Sequence, residues 1–107
     1  METIQFSYNW NNKLTNNAFT TLRLHKPAKY QRGTRFRIEC SEQLCGVAEL
    51  KAVQTFKISA LNDFMTYLDT GYDTAATIDL LQTMYKNKDV NWETQLLDFC
   101  LLVYERE

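Results

Sequence analysis

The residues able to do chemistry are unevenly spread along this chain. Lys13, Arg23, Lys26, Lys29, Arg32, Arg35 and Arg37 fall within the first 37 positions against Glu2 alone, a net charge of +6. Residues 38–58 carry −1, and from 59 onward nine acids face Lys86, Lys88 and Arg106, giving −6. The whole chain is nearly neutral at −1, yet it is electrically two-sided. A basic first third is the footprint a phosphate-bearing ligand would meet, although charge runs also serve as solvated surface. Arg23 offers a planar fork that can grip a phosphate or a base edge through two bonds; the structural alternative is an exposed strand arginine paired with an acid. Trp10 and Trp92 flank loops, where an indole can stack on a base or pack at the rim of a core.

Other chemistries find little support. The single His25 lies beside Lys26, Pro27 and Lys29 in a loop, without a second histidine or a nearby carboxylate in sequence, so no metal site and no cofactor is expected. Cys40, Cys45 and Cys100 are odd in number and lack a C-x-x-C spacing, which fits free thiols in a reducing compartment. Cys40 and Cys45 are placed to face one another across a hairpin. The N-terminus lacks the basic-then-apolar order of a secretory signal, and the longest apolar run, Phe99 to Tyr104, is too short to cross a bilayer. The expectation is a cytoplasmic protein without membrane contact.

These residues must be positioned by a single compact domain spanning 1–107, since 107 residues with 45% apolar and 23% charged composition suffice for one core and no second module. Thr3 to Tyr8 alternates as a half-buried strand with Ile4, Phe6 and Tyr8 on one face. The asparagine-rich stretch Asn9 to Asn17 reads as a loop with one helical turn near Leu14. Phe19 to Leu24 reads as a strand with Leu22 and Leu24 inward and Thr21 and Arg23 on the opposite face. Arg35 to Cys40 alternates charge with apolar bulk, and a long strand follows from Leu44 to Ile58, with a bulge expected at Gln54 where the even apolar positions are interrupted. Ser59 then caps a helix burying Leu61, Phe64, Met65 and Leu68, which Gly71 stops; Asp73 caps a second helix that ends at Asn87. Leu96 to Tyr104 is apolar enough to be a central strand buried on both faces. The class is α+β: a mainly antiparallel sheet, curled or partly closed, with two helices inserted before the last strand.

Several strings resemble the ASCH domains of the PUA-like superfamily. Leu14 to Arg23 is similar to that family's loop-to-strand segment, Tyr30 to Ile38 to its following turn and alternating strand, and Gly46 to Leu50 into Phe56 to Ile58 to its later strand. The resemblance spans nearly the whole chain through short, degenerate motifs. It implies a mixed, mainly antiparallel β pseudo-barrel. It also implies a cleft lined by the strand bearing Thr21 and Arg23, used for nucleic acid or, in one branch, for hydrolysis of acetylated cytidine by a Lys, a Thr and a Glu. Here the family's lysine position is Ala18, Phe19 replaces its next threonine, and Gly33-Thr34 replaces its Gly-Asp pair. No glutamate lies between Ser59 and Tyr72; Asp63 is taken as the nearest carboxylate and Lys13 as a substitute proton donor from the adjoining loop.

Three functions follow as expectations. The first is binding of RNA or a modified nucleoside or nucleotide by Trp10, Thr21, Arg23, Lys26, Lys29, Arg32, Arg35 and Arg37. The second is hydrolysis of a small amide, with Thr21, Asp63 and Lys13 as candidate catalytic groups; the missing lysine weighs against it. The third is a protein–protein adaptor using the acidic helical side.

Overall fold

The computed structural model describes residues 1–105; Arg106 and Glu107 of the acidic segment lie outside the described residues. Five strands, β1 (Thr3–Phe6), β2 (Ala18–Leu24), β3 (Arg35–Cys40), β4 (Gln43–Lys57) and β5 (Leu96–Tyr104), form one sheet in the order β1-β3-β4-β5-β2. Only β1 and β3 pair in parallel; the other neighbours are antiparallel. A 3-10 segment, Trp10–Thr15, separates β1 from β2, and helices α1 (Asp63–Thr70) and α2 (Thr74–Met84) lie between β4 and β5. The expected α+β class and element order are therefore observed, and β5 lies inside the sheet between β4 and β2.

The sheet curls until its two edge strands approach. Phe6 of β1 meets Phe19 of β2 edge to face with centroids 6.0 Å apart, and an Arg23 guanidinium N–H donates to the Gln5 carbonyl at 2.9 Å. The result is a half-barrel around Ile4, Phe36, Ile38, Ala48, Leu50 and Leu102, all essentially without solvent contact. Burying each large apolar side chain of this kind stabilises the fold by roughly 1.5–3 kcal/mol before entropy is counted. A second cluster, Leu22, Leu61, Leu81 and Leu97, fixes the helices against β2 and β5.

Several sequence expectations change. The β4 bulge falls between Leu50 and Ala52, not at Gln54: Leu50 pairs with Leu102 and Ala52 with Leu101, so Lys51 is the extra residue. Even positions Ala48 and Leu50 face the barrel interior before it, and after it the odd position Val53 packs against that core while the exposed Thr55 bonds to Asp98. Strand β1 ends at Phe6 and leaves Tyr8 exposed. Strand β5 is buried on both faces at Leu97 and Asp98, but not along its whole length, because Leu96 and Leu101 remain partly exposed.

Helix α1 begins after the cap Asn62, whose side chain accepts from the Met65 amide at 3.0 Å, while Ser59 belongs to a short 3-10 turn. The expected apolar stripe is split: Leu61 and Met65 join the second cluster, whereas Phe64 is 81% exposed and Leu68 63%. Thr66, Asp69 and Thr70 face inward instead. They too lie at i, i+3 and i+4, and Thr70 pairs its hydroxyl with that of Thr77 on α2 at 2.8 Å. Asp73 caps α2 as expected, and Gly71 ends α1 with φ of 83°, but α2 stops at Met84 with Tyr85 as its cap rather than at Asn87.

Candidate functional site

The free edge of β2 faces the helices, and a cleft opens there. It is walled by Gln5, Phe6 and Ser7 at the end of β1, by Trp10 and Lys13, by Thr21 to Arg23, and by Asp69, Thr70 and the inner side of α2. It encloses about 410 Å³, its open mouth included.

The asparagine-rich loop is what brings Lys13 here. Asn11 and Asn12 adopt left-handed backbone with φ of 58° and 52°, a conformation asparagine tolerates better than most residues. The Asn9 side chain accepts from the Leu14 amide at 2.9 Å and closes the turn. The Asn11 amide donates to the Tyr67 and Leu68 carbonyls at 3.3 and 3.2 Å, tying the loop to the C-terminal end of α1. Lys13 is thereby carried inward, only 4% exposed, where its Nζ meets Asp69 Oδ1 at 2.9 Å. Thr20 Oγ1 donates to the same oxygen at 2.7 Å. Burial holds the Lys13 ammonium below the ordinary lysine range; Asp69 opposes that shift, and the nearby Arg23 adds to it.

Arg23 is fixed on three sides. Its Nε donates to Thr21 Oγ1 at 2.9 Å, its Nη2 donates to Gln5 O, and its guanidinium lies 4.6 Å from the centre of the Phe6 ring. A guanidinium carries five N–H groups, so this clamp leaves donors for a ligand. Trp10 stands across the cleft, with its ring edge to face with Tyr8 at 4.7 Å and Tyr72 at 6.1 Å.

The structure thus gathers Trp10, Lys13, Thr21 and Arg23 into one cleft and disperses the other predicted residues. Thr21 is buried rather than on a solvated face. Lys26 and Lys29 stand on the far side of Arg23, around a separate cavity. Arg35 and Arg37 alternate with the buried Phe36 and Ile38 and so project from the outer face. There Arg35 makes a two-bond pair with Glu105, the Nη2 to Oε2 contact being 2.7 Å, and Arg37 lies 3.7 Å from Glu39. Arg32 is exposed in the loop before β3. Asp63 is outside the cleft; it accepts from the Thr74 amide and hydroxyl at 2.9 and 2.7 Å, which lowers its pKa and staples α1 to α2.

Two carboxylates escaped the sequence reading. Asp69 sits in the last turn of α1, where the helix dipole disfavours an acid, and that placement was the available sign that a cation must approach it. Asp98, inside the apolar β5, accepts from Thr55 Oγ1 at 2.7 Å and the Lys26 amide at 2.9 Å, and lies 2.8 Å from His25 Nδ1. His25 therefore has a carboxylate partner, supplied across the sheet. Cys40, Cys45 and Cys100 are free thiols, and burial pushes Cys100 up to about 12. Among the described residues, no cluster of metal-ligating side chains is found, and no helix is long and apolar enough to cross a membrane.

No family model matches this chain, and no curated protein matches it. Among solved structures it is similar to the crystal structure of protein EF3133 from Enterococcus faecalis V583, a member of family DUF984. The TM-score is 0.66 at 8% sequence identity, over 100% of this chain and 85% of that one. At that identity the likeness shows a shared fold and nothing about the ligand.

Proposed function

We propose that this chain is an ASCH-type, PUA-like domain that binds a nucleoside or nucleotide, free or within RNA, in the cleft between β2 and the helices. The observation that carries the reading is the clamped Arg23 beside Thr21, with Trp10 across the same cleft. A guanidinium held by neighbouring oxygens loses little freedom on binding, so it can contact a base edge or a phosphate through two bonds at low entropic cost. An indole at the mouth supplies a flat apolar surface for a base. The outward projection of Arg35 and Arg37 favours a small ligand, or a short single strand entering the cleft, over a strand lying along the whole basic segment. Isothermal titration with nucleosides, nucleotides and short single-stranded RNAs tests this. Saturable binding that weakens in Arg23→Ala and Trp10→Ala is expected; failure of all of these ligands to bind the folded protein at low salt would remove the reading and leave a protein–protein adaptor ahead.

A second reading, hydrolysis of a small amide such as acetylated cytidine, is favoured by one observation. Lys13, Asp69 and Thr20 form a hydrogen-bonded series beside Thr21, so a lysine from the preceding loop reaches the cleft although Ala18 occupies the strand position. Burial lowers the Lys13 pKa, which makes its ammonium a readier proton donor than an ordinary lysine. Release of acetate from acetylated cytidine that is lost in Lys13→Met but kept in Asp63→Asn would put this reading first.

A further inference from the structure

On the side of Arg23 away from the cleft lies a second cavity of about 420 Å³, open mouth included. Its walls carry four cations, Arg23, Lys26, Lys29 and Lys88, and two phenols, Tyr30 and Tyr85; no carboxylate lines it. These residues come from β2, from the loop following it and from the segment after α2, so the fold itself gathers them. Gathering like charges costs free energy unless something negative joins them. The protein supplies no such partner: among the described residues, none of the four cations forms an ion pair with a carboxylate. Lys29 Nζ donates only to the Thr3 carbonyl, at 3.2 Å. Its pKa is pulled down, chiefly by burial; Glu2 opposes this, while Lys26 and Arg23 add to it, which marks the cations as close enough to repel. Asp98 stands near and is committed to Thr55, His25 and the Lys26 amide, so it pins the backbone of Lys26 at the rim instead of neutralising the cavity. Tyr30 is held up at about 12, mainly by burial, and keeps its O–H as a donor at neutral pH.

We infer that this cavity binds a phosphate group, as inorganic phosphate or as a terminal phosphate monoester, with Lys26, Lys29, Lys88 and Arg23 as its ligands. A monoester carries nearly two charges on three accepting oxygens, which fits several cations and a phenol converging from different elements. A diester within an RNA strand offers one charge and must leave the cavity at both ends. The site extends beyond the nucleoside reading of the neighbouring cleft and shares with it only Arg23.

The test titrates inorganic phosphate into the folded protein at ionic strength held constant with sodium chloride, following backbone amide signals. Saturable shifts at Lys26, Lys29, Tyr30, Tyr85 and Lys88 are expected. Lys26→Ala and Lys88→Ala, both at exposed positions, should each weaken binding by roughly five- to tenfold, and Arg35→Ala should leave it unchanged. Shifts that never saturate, that chloride reproduces, or that persist undiminished in the folded Lys26→Ala/Lys88→Ala variant overturn the assignment. Three further arms separate the sources of phosphate and the two sites. A nucleoside 5′-monophosphate should compete with inorganic phosphate, whereas a hydroxyl-ended oligoribonucleotide that competes equally well would overturn the monoester assignment. A nucleoside without phosphate reports on the cleft alone: if it binds and phosphate does not, this site fails and the cleft reading stands; if phosphate binds and the nucleoside does not, this site stands and the cleft reading is decided by the nucleotide and RNA titrations.

Discussion

Lys13 and Asp69, 56 residues apart in sequence, form an ion pair buried to about 5% exposure on each side chain, with Nζ 2.9 Å from Oδ1. The pair joins the asparagine-rich loop to α1 and forms part of the cleft wall. Removing one partner strands the other charge in a low-dielectric setting. Lys13→Met and Asp69→Asn should each cost about 3–5 kcal/mol, and the double variant should cost clearly less than their sum. Urea unfolding of the three variants measures this; additive losses would show that the pair is not coupled.

The same lysine has a signature in pH. Burial lowers its folded pKa below the ordinary 10.5, so between that lowered value and 10.5 the unfolded chain binds more protons than the folded one. Stability therefore rises with pH through that window and falls as pH drops through the folded pKa. Lys29 is shifted in the same direction. The difference between wild type and Lys13→Met/Asp69→Asn in urea midpoint should carry the Lys13 contribution; a difference independent of pH up to 10.5 would contradict it.

The architecture was legible where the sequence repeats with period two or carries a cap. Phe36 and Ile38, Ala48 and Leu50, Asp73 and Gly71 all do what their spacing dictates. The bulge at Lys51 was not legible, because apolar residues stand on both phases of β4 and the visible break at Gln54 is only the downstream consequence. The inward face of α1 was misread for a physical reason. Thr66, Asp69 and Thr70 have the same helical spacing as the apolar set; Asp69 is buried because Lys13 and Thr20, remote in sequence, supply hydrogen bonds that local periodicity cannot reveal, and Thr70 bonds to the Thr66 carbonyl and to Thr77 on α2. For the site, Arg23 and Thr21 were visible on their strand, whereas Asp69 required knowledge of the loop that reaches it.

Interior strands should be the last to open. Amide exchange is expected to be slowest in β5 around Cys100 and Leu102 and in the paired stretch of β4 near Ala48 and Leu50, and fast in β1, a short edge strand. Exchange in β5 as rapid as in the loops would be incompatible with its place between β4 and β2.

Asp98 anchors the loop that carries the basic residues. Asp98→Ala removes the acceptor of Thr55 and of the Lys26 amide, both at exposed positions where water can take its place, so each lost bond should cost about 0.5–1.5 kcal/mol. Asp98→Asn retains an acceptor oxygen and should fall in between. Thermal unfolding ranks the three proteins; an unchanged midpoint in Asp98→Ala would show that the bonds contribute nothing net.

The sharpest contrast lies among three arginines of the basic segment. Arg23 is clamped in the cleft by Thr21 and the Gln5 carbonyl; Arg35 is paired with Glu105 on the outer face; Arg37 lies beside Glu39. If the cleft takes a nucleoside or nucleotide, Arg23→Ala should lower affinity by about 1–3 kcal/mol and blur discrimination among bases. Arg23→Lys should recover little, since an ammonium cannot reproduce a two-bond fork. Arg35→Ala and Arg37→Ala should leave cleft affinity unchanged and alter, at most, the salt dependence of binding to longer RNA. Fluorescence anisotropy at two salt concentrations with the four variants separates these outcomes; equal losses in all four would mean that the ligand lies on the outer basic surface and not in the cleft.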